Sequence, residues 1–274
     1  MRRVRITLGY DGTEFFGSQS QPGCRTVQDE LERLLQRLAP RTGRTVFAGR
    51  TDRGVHAVGQ VVSVDLDWRD TDRALRDALN SIAPPDLSIS DVATVADSFH
   101  ARYDALSREY RYRIIVAAVP PVLERRYAWW RHADLDGDRA ADACKRFVGE
   151  HAFGTFAGSG RSQSLDTDEL VRHISICEWR TTDAGQRHEL RVVANGFLPQ
   201  MVRNIVGAVA RIGSGKREPA WIDELIAAND RRVLGDAAPP QGLVLWRVRY
   251  ANDDDERRDA VIARRWPGEG YGEE

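Results

Sequence analysis

Apolar and polar positions divide the first hundred residues into six predicted elements. Alternation from Arg3 to Gly9 predicts a strand. Thr26 is a residue type that caps helices, and apolar residues then recur at helical spacing as far as Leu38, which predicts a helix. The remaining predictions are a short strand over 45–48, a strand over 61–66, a helix that starts after Thr71 and stops at Pro84, and a strand over 89–95. This order is the β-α-β-β-α-β pattern of a ferredoxin-like or RNA-recognition-motif domain.

The second half of the chain contains the same two kinds of pattern. Strands are predicted over 110–116, 170–179, 190–194 and 243–250, and helices over 134–148, 201–212 and 219–226. We therefore expect an α+β fold of two ferredoxin-like, RRM-like subdomains, each with an antiparallel sheet backed by helices. The expected boundaries are 1–106 and 107–251, followed by a charged tail over 252–274 that lacks a repeating apolar face.

Composition excludes several classes of protein. The 274 residues contain no apolar run near the roughly 20 residues that a membrane span needs. The N-terminal stretch alternates like a strand and lacks a signal peptide's apolar core, so a cytoplasmic location is predicted. The three cysteines form no C-x-x-C pair and the six histidines have no metal-binding spacing, so no metal site is expected. The formal net charge of −1 does not by itself indicate a nucleic-acid partner.

The stretch AGRTDRGVHA, residues 48–57, contains the first candidate for chemistry. Asp52 lies between Arg50 and Arg53, and glycines on both sides allow a tight turn. A carboxylate beside arginines is expected to stay ionised, since the opposite charge favours the charged form. Such a group can act as a nucleophile, a base or a metal ligand, or it can be half of a structural salt bridge.

Two later stretches combine aromatic or apolar residues with arginines. In SREYRYRI, residues 107–114, Tyr110 and Tyr112 share one face of the predicted strand. They are either core residues or a surface that stacks on a nucleobase beside phosphate-binding arginines. In FLPQMVRNIVG, residues 197–207, Arg203 lies within an apolar helix, where burial costs several kcal/mol unless an acidic partner such as Asp52 is present.

Together these stretches resemble the tRNA pseudouridine synthase A family. The matching segments span residues 10–250 and are YDGTEFFG, TVQDELERLL, AGRTDRGVHAVGQVV, FHARYDA, REYRY, NGFLPQMVRNIVG and GLVLWRVRY. The resemblance implies isomerisation of uridine to pseudouridine at positions 38, 39 and 40 of the tRNA anticodon stem-loop. It also implies a homodimer, no metal or organic cofactor, and a central RNA-binding cleft around which the two subdomains are joined.

The resemblance also assigns roles to individual residues. Asp52 matches the nucleophile, Tyr110 the tyrosine that stacks on the target base and takes part in proton transfer, and Arg203 the ion-pair partner of the aspartate. The residues matched to substrate binding are Tyr110, Arg50, which helps to displace the base, Leu243, which contacts the uracil, and His100, Arg102 and Arg108.

The chain departs from the family pattern at several positions, and these bear on which uridines are chosen. Family members commonly have GWQ at Gly17–Gln19, two histidines at Pro199–Gln200 and alanine at Arg53, and residues 157–169 match poorly. The same chemistry on other uridines, in tRNA or other RNA, is one alternative function. A non-catalytic RNA-binding protein is another, but it gives no reason for Asp52 and Arg203 to pair. A metal-dependent phosphotransferase would need a second carboxylate cluster near the loop.

Overall fold

The computed structural model describes residues 1–158 and 167–251, which divide into two compact units. The first unit is Met1–Leu106 together with the segment that begins at Leu245, and the second is Ser107–Val244. The charged tail predicted over 252–274 and residues 159–166 of the poorly matching segment lie outside the described residues.

The first unit contains all six elements that the sequence predicts for it, in the predicted order. They are β1 (Arg2–Tyr10), α1 (Val27–Leu38), β2 (Val46–Phe47), β3 (His56–Leu66), α2 (Asp72–Ile82) and β4 (Leu87–Thr94). β1 is the centre of an antiparallel sheet because it pairs with both β3 and β4, and β2 pairs with the other edge of β3. Because β2 and β3 pair with each other, both ends of the loop between them are held by the same sheet.

Helix starts in this unit follow the sequence signals closely. Thr26 accepts a hydrogen bond from the backbone N–H of Asp29, and Thr71 accepts one from that of Ala74. Each bond satisfies a backbone donor that the first helical turn leaves without a partner. α1 then buries Leu31 and Leu34 fully. The threonine caps and the apolar stripe explain why both helices begin where the sequence predicts.

The second unit is also built on a mostly antiparallel sheet. Its elements are β5 (Ser107–Val116), β6 (Trp129–Arg131), α3 (Gly137–Lys145), β7 (Gly149–Ala152), α4 (Thr167–Leu170), β8 (Val171–Thr182), β9 (Arg187–Ala194), α5 (Met201–Gly213), α6 (Trp221–Ala228) and the start of β10 (Leu243–Arg249). β9 pairs antiparallel with β5 and β8, β7 pairs with β8, and β6 is parallel to β5. α3 starts later than predicted because Asp136 caps it by accepting from the N–H groups of Asp138 and Arg139.

A buried glutamate in the sheet of the second unit is paired with two half-buried arginines. Glu109 is 5% exposed and accepts hydrogen bonds from Arg191 Nε at 3.0 Å and from Arg111 Nε at 3.0 Å. Burial raises the pKa of the Glu109 carboxyl, but the hydrogen bonds and positive charges of Arg191 and Arg111 outweigh it, so the net pKa is lowered. Glu109 directly precedes Tyr110 on β5, so this cluster fixes the strand that carries a candidate site residue.

We expect Glu109→Gln to lower the free energy of unfolding at pH 7 by about 2–4 kcal/mol, because two arginines lose a buried anionic partner. Since the pKa of Glu109 is lowered on folding, its contribution is present above the usual glutamate value of 4.5. The contribution is lost as the pH falls through the lower folded pKa. Urea unfolding of wild type and variant between pH 7 and pH 3 measures this difference.

Glu178→Gln is the matched control, since Glu178 also faces Arg191, at 3.5 Å, but is 46% exposed. An exposed ion pair contributes about 0–1 kcal/mol. A loss at Glu109 no larger than that at Glu178, or a loss that stays constant down to pH 3, would contradict this account.

Candidate active site

Asp52 lies in the loop between β2 and β3 and is half-buried. The N–H of Val55 donates to the carbonyl oxygen of Asp52 at 3.1 Å, which closes a four-residue turn. Gly54 has a φ of +78° in this turn, a value that favours glycine. Arg50 and Arg53 on either side of Asp52 are exposed. The turn therefore has a defined shape, with a carboxylate set between two exposed cations.

The backbone next to Asp52 is held by Ser18 from the connection between β1 and α1. The N–H of Thr51 donates to Ser18 Oγ at 2.9 Å, and the N–H of Ser18 donates to the carbonyl oxygen of Thr51 at 3.1 Å. Ser18 and Thr51 are both buried, at 1% and 6% exposure. Both backbone groups of the residue before Asp52 are thus satisfied by one partner, which restricts the orientation of the aspartate.

Two buried polar side chains of the sheet complete this support. The hydroxyls of Tyr10 and Thr51 are 2.8 Å apart, and Gln60 Nε2 donates to the carbonyl oxygen of Gly49 at 2.9 Å. Burial raises the pKa of Tyr10 to about 12, although its hydrogen bonds with Thr51 and Gln60 act in the opposite direction. Tyr10 is therefore protonated near neutral pH and supports the loop as a hydrogen-bonding group.

The hydrophobic pattern of the sequence does not reveal this support. Tyr10 ends β1, and Gln60 lies in the middle of the apolar run of β3. A tyrosine or glutamine at a buried strand position needs a hydrogen-bond partner, so the sequence could have indicated that Tyr10 and Gln60 each bind a polar group. The partner could not be identified from the pattern, because Thr51 is 41 residues from Tyr10 along the chain.

Gly17 and Phe16 border the same turn. Gly17 has a φ of +88°, and a Cβ atom there would lie 2.8 Å from the carbonyl oxygen of Thr51. The guanidinium of Arg53 lies 4.1 Å from the centre of the Phe16 ring, a cation–π contact. Because the backbone of Gly17 lies so close to the carbonyl oxygen of Thr51, there is no room for a side chain at position 17.

His100 and Arg102 lie in the turn that follows β4 of the same unit. His100 is half-buried and Arg102 is exposed. His100 Nδ1 accepts hydrogen bonds from the backbone N–H groups of Arg102 and Tyr103, each at 3.2 Å. The histidine thus has a structural role in the turn, and Arg102 projects from it.

The second unit holds the other predicted site residues. Tyr110 lies on β5, is 7% exposed and meets the ring of Phe197 edge-on at 5.1 Å. Leu243, the first residue of β10, is 5% exposed. Arg108 donates through Nη1 to the carbonyl oxygen of Asn195 at 2.7 Å. Tyr112, which shares a face with Tyr110, is fully buried, so it belongs to the core.

Arg203 lies on the first turn of α5 and is half-buried. Its Nε donates to the carbonyl oxygen of Ala238 at 2.8 Å, and its own carbonyl oxygen accepts from the N–H of Ala238 at 3.0 Å. The hydrogen bond from Nε offsets part of the cost of burying an arginine in an apolar helix. Asp52 belongs to the other unit, and its pairing with Arg203 stays a prediction.

Among residues 1–158 and 167–251, no group of three or more histidine, cysteine or acidic side chains is placed to hold a metal ion. In the same ranges, no helix has the length and apolar character that a membrane crossing requires. Asp65, on the strand that leaves the loop, forms an ion pair with Arg3 at 2.6 Å.

Comparison with known proteins decides the family. A family model described as tRNA pseudouridine synthase matches residues 7–104 and 143–251, about three quarters of the chain. The chain belongs to the tRNA pseudouridine synthase family. It is therefore an enzyme of the isomerase class, and the family resemblance drawn from its motifs is confirmed. Asp52, Arg50, His100 and Arg102 lie in the first matched range, and Arg203 and Leu243 lie in the second.

Individual relatives in this family are similar over nearly their whole length. The tRNA pseudouridine synthase A of Bacillus licheniformis is 40% identical over 252 residues, which is 91% of this chain and 100% of the relative. That of Methylococcus capsulatus is 40% identical over 261 residues, 94% of each chain. That of Geobacillus sp. (strain WCH70) is 41% identical over 252 residues, 92% of this chain and 99% of the relative.

Proposed function

We propose that this chain converts uridine to pseudouridine at positions 38, 39 and 40 of the tRNA anticodon stem-loop, with Asp52 as the nucleophile. The reaction breaks the bond between C1′ of the ribose and N1 of the base and forms one between C1′ and C5. N1 gains a proton, and C5 loses one. The half-buried carboxylate on a turn held from both sides is the observation that carries the proposal.

The geometry of the turn suits a nucleophile. A reacting group must be held close to its productive position, since small displacements reduce rates strongly. The bonds of Thr51 to Ser18 and Tyr10 restrict the backbone that carries Asp52. Because the reaction has no net redox change and needs no activated donor, Asp52 and a proton acceptor are sufficient chemistry, and we propose that no cofactor takes part.

The remaining roles concern the base and its removal from the RNA helix. Extracting a nucleotide costs a few kcal/mol, and aromatic stacking offsets about 1–3 kcal/mol per base. In this proposal Tyr110 stacks on the uracil and assists proton transfer, Leu243 contacts the uracil, Arg203 pairs with Asp52, and Arg50 helps to displace the base. His100, Arg102 and Arg108 bind the surrounding RNA.

The quaternary structure and location are part of the same proposal. We propose a homodimer in the cytoplasm, with one tRNA contacting both subunits across a central cleft. The ferredoxin-like description of the two subdomains and the boundaries 1–106, 107–251 and 252–274 stay predictions. The high coverage of the relatives by this chain supports the shared family chemistry.

The uridine positions can be tested with tRNA transcripts that keep a single uridine at position 38, 39 or 40 and have cytidine at the other two. We expect pseudouridine at each of the three positions and at no uridine outside the anticodon stem-loop. Chemical mapping by primer extension provides the measurement. If only other uridines are converted, the assignment to positions 38, 39 and 40 is wrong but the chain still forms pseudouridine. Tight binding without conversion would favour a non-catalytic RNA-binding protein.

A further inference from the structure

Tyr103 is an aromatic residue that the proposed roles do not use. It follows Arg102 in the turn after β4, and it is 75% exposed. An exposed aromatic ring needs no explanation when it stands alone, since apolar atoms make up much of a protein surface. Tyr103 does not stand alone, because its ring stacks on that of His100 with centroids 4.3 Å apart and planes inclined by 26°.

The turn that carries this ring pair is closed by hydrogen bonds. The N–H of Asp104 donates to the carbonyl oxygen of His100 at 3.1 Å, and the N–H of His100 donates to Asp104 Oδ2 at 2.8 Å. His100 Nδ1 also accepts from the N–H groups of Arg102 and Tyr103. The Tyr103 ring is therefore presented by a backbone with few accessible conformations.

The base of the turn is fixed to the first unit through buried Ala101. The hydroxyl of Tyr250 donates to the carbonyl oxygen of Ala101 at 2.6 Å, and the N–H of Ala101 donates to Ser63 Oγ at 3.2 Å. Both neighbours lie in the first unit, on or next to its strands. An exposed aromatic on such an anchored turn loses little conformational entropy when a ligand stacks on it.

We propose that Tyr103 is a stacking site for an unpaired base of the RNA substrate, with Arg102 beside it to bind a phosphate of the same strand. His100 stacks on the Tyr103 ring, and 75% of the residue is exposed, so ring surface is available to a planar ligand. The Arg102 guanidinium lies 5.7 Å from the centre of the ring, so one nucleotide can meet both. Stacking on an aromatic next to a cation is how single-stranded nucleic acid is commonly bound. This inference rests on the proposed function, which supplies the RNA.

The test compares the tRNA affinity of wild type, Tyr103→Ala and Tyr103→Phe by filter binding over a range of salt concentrations. Loss of one stacked base is expected to raise the Kd of Tyr103→Ala by about 5- to 150-fold. Tyr103→Phe keeps the ring and is expected to bind within about twofold of wild type, since stacking requires the aromatic face and not the hydroxyl. Leu123→Ala is the control, because Leu123 is 90% exposed and lies in the second unit.

The proposed phosphate contact of Arg102 is tested separately, through the salt dependence of tRNA binding. Arg102→Gln should reduce the slope of log K against log salt by about 0.7–0.9, the value for one phosphate contact, whereas Tyr103→Ala should leave this slope unchanged. Transcripts with single 2-aminopurine substitutions identify the base. Quenching at one position in wild type and Tyr103→Phe, lost in Tyr103→Ala, is the expected pattern.

The outcomes separate this inference from the proposed function. If wild type forms pseudouridine and Tyr103→Ala binds tRNA as tightly as Leu123→Ala does, the stacking site is wrong and the proposed function stands. If wild type converts no uridine in any tRNA, the proposed function fails independently of Tyr103. An equal loss of affinity in Tyr103→Phe and Tyr103→Ala would also overturn the inference, because the ring would then not be the binding element.

Discussion

Asp52→Asn should abolish pseudouridine formation, with a single-turnover rate at least about 10⁴-fold below wild type, while tRNA binding is retained. Asparagine has nearly the same shape and can keep the turn, but its amide is not an anionic nucleophile. The bonds that hold the turn come from Thr51 and Val55 and do not use the Asp52 carboxylate. Chemical mapping of pseudouridine after mixing excess enzyme with tRNA provides the rate.

Asp67→Asn is the matched control for this variant. Asp67 is also half-buried and follows β3 in the same unit, 15 positions beyond Asp52. We expect it to retain wild-type activity within a few-fold, since surface substitutions rarely change the free energy of unfolding by more than about 0.5 kcal/mol. If Asp52→Asn turns over tRNA at a rate comparable to that of Asp67→Asn, Asp52 is not the nucleophile.

Gly17→Ala should reduce the rate by about 100-fold, because it pushes the loop that carries Asp52. Its Cβ would lie 2.8 Å from the carbonyl oxygen of Thr51, closer than real Cβ contacts, so the backbone beside Asp52 must shift. A displacement of about 1 Å can cost about 10²-fold in rate. The positive φ of +88° adds about 1–2 kcal/mol of strain for a residue with a side chain. Single-turnover rates and urea unfolding measure the two effects separately.

Gly23→Ala distinguishes strain from displacement. Gly23 lies in the same connection before α1 and has a φ of +72°, but a Cβ there would meet nothing within 4 Å. We expect the same kind of loss of stability with little loss of rate. If Gly23→Ala slows the reaction as much as Gly17→Ala does, contact with Thr51 is not the cause.

Much of the fold could be predicted because its signals are local. A threonine cap and an apolar stripe occupy one short window, and both Thr26 and Thr71 cap the helices expected of them. β6 and β7, of three and four residues, were not predicted because neither of their sequences, WWR and GEHA, alternates between apolar and polar residues. The early start predicted for α3 was wrong because Asp134 and Asp136 are both possible caps, and only hydrogen-bond geometry selects Asp136.

The candidate site was predictable in part for the same reason. The motif around Asp52 is continuous in sequence, so the loop and its family could be identified from the amino-acid sequence. The residues that hold this loop in place are distant from it along the chain. Thr51, in the loop, forms hydrogen bonds with Tyr10 and Ser18, which lie much earlier in the sequence. Charge pairs show the same limit, since Glu109 and Arg191 are 82 residues apart and meet through strand pairing. A pattern indicates that a buried polar group needs a partner and does not identify it.

In the proposed reaction, this chain breaks the C5–H bond of a tRNA uridine through chemistry that depends on Asp52. The most direct test is the release of tritium from tRNA transcripts with C5-tritiated uridine, in the presence of a chelator, for wild type and Asp52→Asn. We predict one tritium released for each pseudouridine formed by wild type, and none by Asp52→Asn although it binds the tRNA. Release by both proteins, or by neither despite tight binding, would contradict the account.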